Sequence, residues 1–116
     1  MATKTLKKQR LHPYIIRDTK ICGGEPTIIG TRISVRLIVE WEHAGKDVDE
    51  IVAMYPHLTH AQVHDALSYY YDNKEEIDRF IQENTEEFVR KKYKGAPWLK
   101  YSYIWMKIYL PQLPWC

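Results

Sequence analysis

Cysteine is scarce in this chain, and long apolar runs are missing. The 116 residues contain two cysteines, Cys22 and Cys116, at opposite ends and without the spacing of a disulfide framework or a zinc site. They read as incidental thiols of a protein in a reducing cytoplasm. The opening MATKTLKKQR has no apolar core of signal-peptide length, and no run approaches a bilayer span. A soluble, cytoplasmic protein that does not enter a membrane is expected. Acid is missing from the ends: residues 88–116 hold six Lys or Arg and no Asp or Glu, and residues 1–20 hold six against one Asp. Residues 21–87 reverse this, with fourteen acidic and five basic side chains. Such segregation implies two separate electrostatic tasks, or ends that fold back on the body of the same chain.

Chemical motifs are also lacking. Three glycines in ICGGEPTIIGTRISV precede an apolar run, yet neither G-x-x-x-x-G-K-[ST] nor G-x-G-x-x-G is present. Gly24 and Gly30 are separated by a strand-like TIIG, whose amides belong in a ladder rather than around a phosphate. These glycines shape turns. His60 and His64 share a helical face with His57 upstream, but no cysteine or suitably placed carboxylate completes a tetrahedral set. No metal and no cofactor is expected. No Ser/His/Asp or Cys/His arrangement appears, and the carboxylates of 72–87 fall on a solvated face, so an enzyme is not expected.

What is present is a helical domain. Forty-five percent apolar and 28% charged residues is globular composition, and the length allows one domain. Residues 1–11 read as a solvated basic arm. YIIRD (14–18) and TIIGTRISV (27–35) are short and β-branched, and predict a two-stranded antiparallel ribbon within 12–35. Alternation along that ribbon turns Ile33 and Val35 inward, and Arg32 and Ser34 outward.

Ser34 caps a helix over 35–44 that stops at Gly45. Asp47 and Glu50 open a second, 47–55, closed by Pro56. Thr59 and Gln62 open a third, 59–71, with Leu58 and Val63 placed as a hydrophobic staple. Asn73 and Glu76 start a longer fourth, 73–94, with Ile77, Phe80, Ile81, Asn84 and Phe88 on one side. The tail, 95–116, is dense in aromatics, and Leu99, Tyr101, Tyr103 and Trp105 alternate like one face of a strand. The fold class is mainly α, a homeodomain-like three-helix domain with a fourth helix behind an N-terminal β-ribbon.

The second and third helices and their short turn have helix-turn-helix lengths. The outward face of the third shows His60, Ala61, His64, Asp65 and Ser68, with no Arg or Lys. If DNA is read there, Thr59, His60, Gln62 and His64 are the candidate contacts, and Arg32, Arg36 and the basic arm must neutralise phosphate. An apolar ribbon with unpaired edges gains by pairing, so a homodimer through residues 13–35 is expected.

His12-Pro13-Tyr14-Ile15, Cys22-Gly23-Gly24-Glu25-Pro26, Gly30-Thr31-Arg32-Ile33, Trp41, Ala44-Gly45, Tyr55-Pro56-x-Leu58-Thr59 and Ala66-Leu67-x-Tyr69-Tyr70 together resemble domain-of-unknown-function family 433. The resemblance covers about residues 12 to 84. It departs at Ser34, where the family usually has proline, and after Gly95. It implies a VapB-type antitoxin with a homeodomain-like helix-turn-helix. Such a protein inhibits a PIN-like ribonuclease toxin and represses its own operon by binding operator DNA. The alternative is a protein-interaction module of the same fold that binds no DNA. A PIN-like active site gathers carboxylates around a metal ion, so an inhibitor's cations would meet it. Arg90, Lys91 and Lys92, with Trp98 and Tyr101, are the candidate toxin contacts, and Arg90 leads because its planar fork suits a carboxylate pair.

Overall fold

A computed structural model describes residues 8–110. Three antiparallel strands come first: β1 (Lys8–His12), β2 (Ile15–Asp18) and β3 (Pro26–Ile28), in the order β1-β2-β3. Six helices follow: α1 (Val35–His43), α2 (Val48–Met54), α3 (His60–Asp72), α4 (Lys74–Glu83), α5 (Glu86–Lys92) and α6 (Tyr103–Tyr109). No helix among the described residues is long and apolar enough to cross a membrane.

The sheet has one strand more than the sequence predicts. Residues 8–11, expected as solvated arm, pair with β2 in register Lys8↔Asp18, Gln9↔Arg17 and Arg10↔Ile16. An opposite-charge pair across the strands and a tight turn at Pro13–Tyr14 favour this hairpin. Residues 1–7 of the expected arm lie outside the described residues. The second strand of the expected ribbon is shorter than 27–35. After Ile28 the chain turns at Gly30, whose φ of 77° suits glycine, and Thr31 closes the turn by donating to the Ile28 carbonyl at 2.8 Å. Only the Thr27↔Ser34 bridge follows. Ser34, expected outward, is buried because its hydroxyl accepts from Leu37 N at 3.1 Å to cap α1.

The three central helices form where their capping residues dictate. Lys46 N donates to the Trp41 carbonyl and Gly45 N to Glu42, the paired bonds that end a helix at a left-handed glycine. Asp47 with Glu50, and Thr59 with Gln62, both close reciprocal capping boxes. Trp41 Nε1 donates to the Tyr55 hydroxyl at 3.0 Å and ties α1 to the end of α2.

The core lies between the sheet and these helices. Ile15, Ile28, Val35, Ile38, Val39, Ile51, Val63, Ala66 and Ile77 are all fully buried there. Burial of apolar surface on this scale is the main stabilising term. The ribbon's Ile15, Ile16, Ile28 and Ile33 are thus covered from within the chain, so the apolar face invoked for a dimer through 13–35 is already packed.

The expected fourth helix, 73–94, is broken in two. Asn84 caps α4 and its amide donates back to the Phe80 carbonyl at 2.8 Å, while Thr85 caps α5 by accepting from Phe88 N at 3.2 Å. Two adjacent capping residues end one helix and start the next although the apolar stripe runs on through Phe88. Residues 99–105, expected to alternate like a strand, are not one either, and residues 111–116 lie outside the described residues. Pro97–Lys100 form a 3-10 turn, and Ser102 caps α6 by accepting from Trp105 N at 3.0 Å.

Candidate functional site

Three places carry the polar chemistry: the exposed side of α3, a buried cluster around Arg36, and the basic aromatic segment from α5 to α6.

On α3 the exposed residues include His60, Ala61, His64 and Ser68. His60 Nε2 sits 2.8 Å from Asp49 Oδ1 of α2, across the turn between α2 and α3. Thr59 and Gln62, expected as DNA contacts, are engaged in the capping box, which leaves their backbone-directed groups committed to the fold. Asp65 was expected outward and is not. It faces the sheet, accepting from Tyr14 N at 2.8 Å and pairing with His12 Nδ1 at 2.8 Å, because the β1–β2 turn packs on that side of α3. Arg32 is exposed, ahead of α1.

Arg36 is the largest correction. Expected as a phosphate contact, it is 4% exposed. Its Nε donates to Glu25 Oε1 at 3.1 Å, and its Nη1 lies 3.4 Å from Glu40 Oε2 one turn further along α1. The turn Cys22–Gly24 delivers Glu25 to this position. Burial pushes the Glu25 carboxyl above the ordinary carboxylate range, and the Arg36 guanidinium pulls it back only in part. The Arg36–Glu40 spacing of four was readable in the sequence. The Glu25 partner, eleven residues upstream, was not, since only the fold of the loop brings it near.

A second polar set joins the sheet to α3 and α4. Arg17 pairs with Glu76, and Tyr69 donates to the same carboxylate at 2.7 Å. Burial and that hydrogen bond together raise the Tyr69 hydroxyl well above its usual value. Sequence reading missed this set because its members lie far apart along the chain.

In the C-terminal segment Arg90, expected to face a toxin, turns inward. Its Nε donates to Glu86 Oε2 at 2.8 Å, Nη1 to the Leu99 carbonyl at 2.6 Å, and Nη2 to the Tyr101 carbonyl at 3.2 Å. Orphan carbonyls of the 3-10 turn supply the acceptors, and the planar fork reaches both. Tyr103 donates to the Asn84 carbonyl, and burial raises its hydroxyl. Met106 is fully buried.

Lys91 and Lys92 remain exposed, with Lys91 Nζ 3.7 Å from Glu87. Trp98 packs against Tyr93 at 5.5 Å, and Tyr101 stacks on Trp105 at 4.0 Å. Cys22 Sγ lies 3.3 Å from the Arg32 carbonyl oxygen, and Cys116 lies outside the described residues. No group of three metal-ligating side chains is found among the described residues.

Residues 15–70 match the family model "Protein of unknown function (DUF433)". A crystal structure of a DUF433 member protein from Anabaena variabilis ATCC 29413, at 2.00 Å resolution, is 38% identical to this chain. The similarity covers 60% of this chain and 68% of that one, with a TM-score of 0.58. The chain belongs to the DUF433 family. No curated protein matches it. The DUF433 match spans β2 through most of α3, so α1, α2 and Arg36 lie within it, and α5 and α6 lie beyond it.

Proposed function

We propose that this DUF433 protein is the antitoxin of a bacterial toxin–antitoxin pair, binding and inhibiting a PIN-like ribonuclease, with operator DNA as a second target. One observation carries the reading: residues 88–116 are rich in cations and free of acid, with Lys91 and Lys92 exposed, Lys92 over the Tyr93 ring that packs on Trp98, and Lys100 over Tyr101, and they follow a helix-turn-helix domain. Cations beside aromatics form the composition of a protein-binding hot spot, and they complement a carboxylate-lined nuclease site. Arg90 supports this contact indirectly, by fixing Leu99 and Tyr101.

A second reading is the same interaction module without DNA. It is favoured by the burial of Arg36 and by the lack of Arg or Lys on the outward face of α3. Under the first reading, phosphate contacts fall to Arg32 and to Lys8 and Arg10 of β1, all exposed.

Co-expression with the neighbouring gene product tests both. Co-purification and loss of RNA cleavage are expected, with inhibition weakened by Lys91→Glu and Lys92→Glu together. No co-purification and undiminished cleavage would overturn the antitoxin reading. A shift of the chain's own promoter DNA that weakens with salt supports the DNA arm; its absence leaves the interaction module.

A further inference from the structure

Large exposed apolar side chains are concentrated on α6. Ile104, Ile108 and Tyr109 are exposed on it and Tyr101 just ahead of it, with Ile104 at 70% and Ile108 at 63%. Ile104 and Ile108 are four apart on a helix and share a face, while Met106 on the opposite side is fully buried. One side of α6 anchors it and the other is uncovered. Contiguous apolar surface of this kind marks an interaction site on a soluble protein.

A surface cleft lies at the far end of α4. Tyr71, Asp72, Asn73, Lys74, Glu75 and Glu76 line a surface cleft of about 410 Å³ at the α3–α4 corner. Tyr71 is 57% exposed there; of the three lining carboxylates Glu76 is held by Arg17 and Tyr69 and Asp72 lies 3.6 Å from His12 Nε2, while Glu75 is exposed next to Lys74. The chain's own α6 does not fill it, because Tyr103 holds α6 to Asn84 at the opposite end of α4. A helix of that length separates its ends by roughly 15 Å.

The geometry points to a second copy of this chain as the occupant: α6 of one protomer docks in the α3–α4 cleft of the other, and the reverse. Charge complementarity selects this partner. The docking segment carries Lys100 and no acid anywhere from residue 88 onward, whereas the cleft belongs to the acid-rich middle of the chain. A seven-residue helix buries too little by itself, since stable association takes roughly 1,200 Å² in total. Reciprocal docking about a two-fold axis uses the contact twice and closes the assembly. The proposal needs no nuclease and no DNA.

The test is solution mass by light scattering of the full chain, from micromolar to submillimolar concentration. Twice the 13.9 kDa chain mass is expected. Ile104→Glu with Ile108→Glu should give the monomer mass with an unchanged circular dichroism spectrum, because both side chains are exposed in the fold. Glu75→Lys should weaken dimerisation roughly tenfold, the scale of one interfacial charge pair, and Lys100→Glu added to it should restore most of the loss. A wild-type monomer throughout would overturn the proposal, as would a dimer that survives both Ile changes. Dissociation by the Ile changes with Glu75→Lys silent would place α6 against something other than the cleft and overturn it as well.

Discussion

The body of the molecule, residues 15–83, and the segment after it are held by different means. In the body, sheet and helices share one apolar core, and α1, α2 and α3 each begin at a side-chain cap. After Asn84 the chain buries Val89 and Met106, Tyr103 ties it back to the Asn84 carbonyl, and Arg90 clamps the segment to itself at the Leu99 and Tyr101 carbonyls. A common core makes a region cooperative, whereas a few polar clamps make it locally releasable. The family match lies in the first kind of region, and the exposed Lys91, Lys92, Ile104 and Ile108 lie in the second.

The largest break in that comparison should come from the core. Ile38→Ala removes a fully buried side chain between sheet and helices and is expected to cost about 3–4 kcal/mol. Urea unfolding should show one transition moved to lower denaturant. Two separate transitions would mean that the body is not a single cooperative unit.

Next is Arg36→Ala, which leaves Glu25 buried without its cation and should cost about 3 kcal/mol. Adding Glu25→Gln should recover much of this, since the uncompensated carboxylate is the source of the cost. Equal stability of single and double variants would show that the lost packing of the long side chain dominates.

Arg90→Ala separates the two regions most directly. It removes the bonds to the Leu99 and Tyr101 carbonyls, worth about 1–2 kcal/mol. Hydrogen exchange should accelerate over residues 97–109 and stay unchanged in α1 and α3. Uniform acceleration would erase the distinction between core and clamp.

The smallest effect is alkaline. Burial and the hydrogen bond to Asp78 raise the Tyr70 hydroxyl from 10.0 to about 12. The folded state therefore holds this proton more tightly than the unfolded one. The contribution is whole below pH 10 and is lost as pH rises through about 12. Tyr70→Phe should flatten part of the fall in stability over that window. An unaltered slope would assign the fall to Tyr69 or to other groups.

Much of the body could be read before any coordinates. Ser34, Asp47, Thr59 and Gly45 mark the helix ends in the sequence because capping is local, depending on a residue and its neighbours within one turn. Residues 84–85 carried the same kind of signal, but the apolar stripe running through to Phe88 obscured it. The candidate site was less legible. Arg36 looked like a free cation on a helix, and Arg90 like the head of a basic cluster. Each is tied down by partners whose nearness no spacing reveals: Glu25 by a loop, Leu99 and Tyr101 by the return of the tail.

The sequence by itself determined the helix starts and stops of the body, the apolar faces of its helices, the turns at its glycines and the segregation of charge. These follow from φ/ψ preference, capping and periodicity, which act over a few residues. Only the tertiary structure decided which charges are surface and which are structural, that β1 joins the sheet, and that Tyr103–Tyr109 form a helix with one exposed side. Those outcomes depend on burial and on contacts between distant residues, where desolvation, rather than residue type, sets what a charged side chain can do.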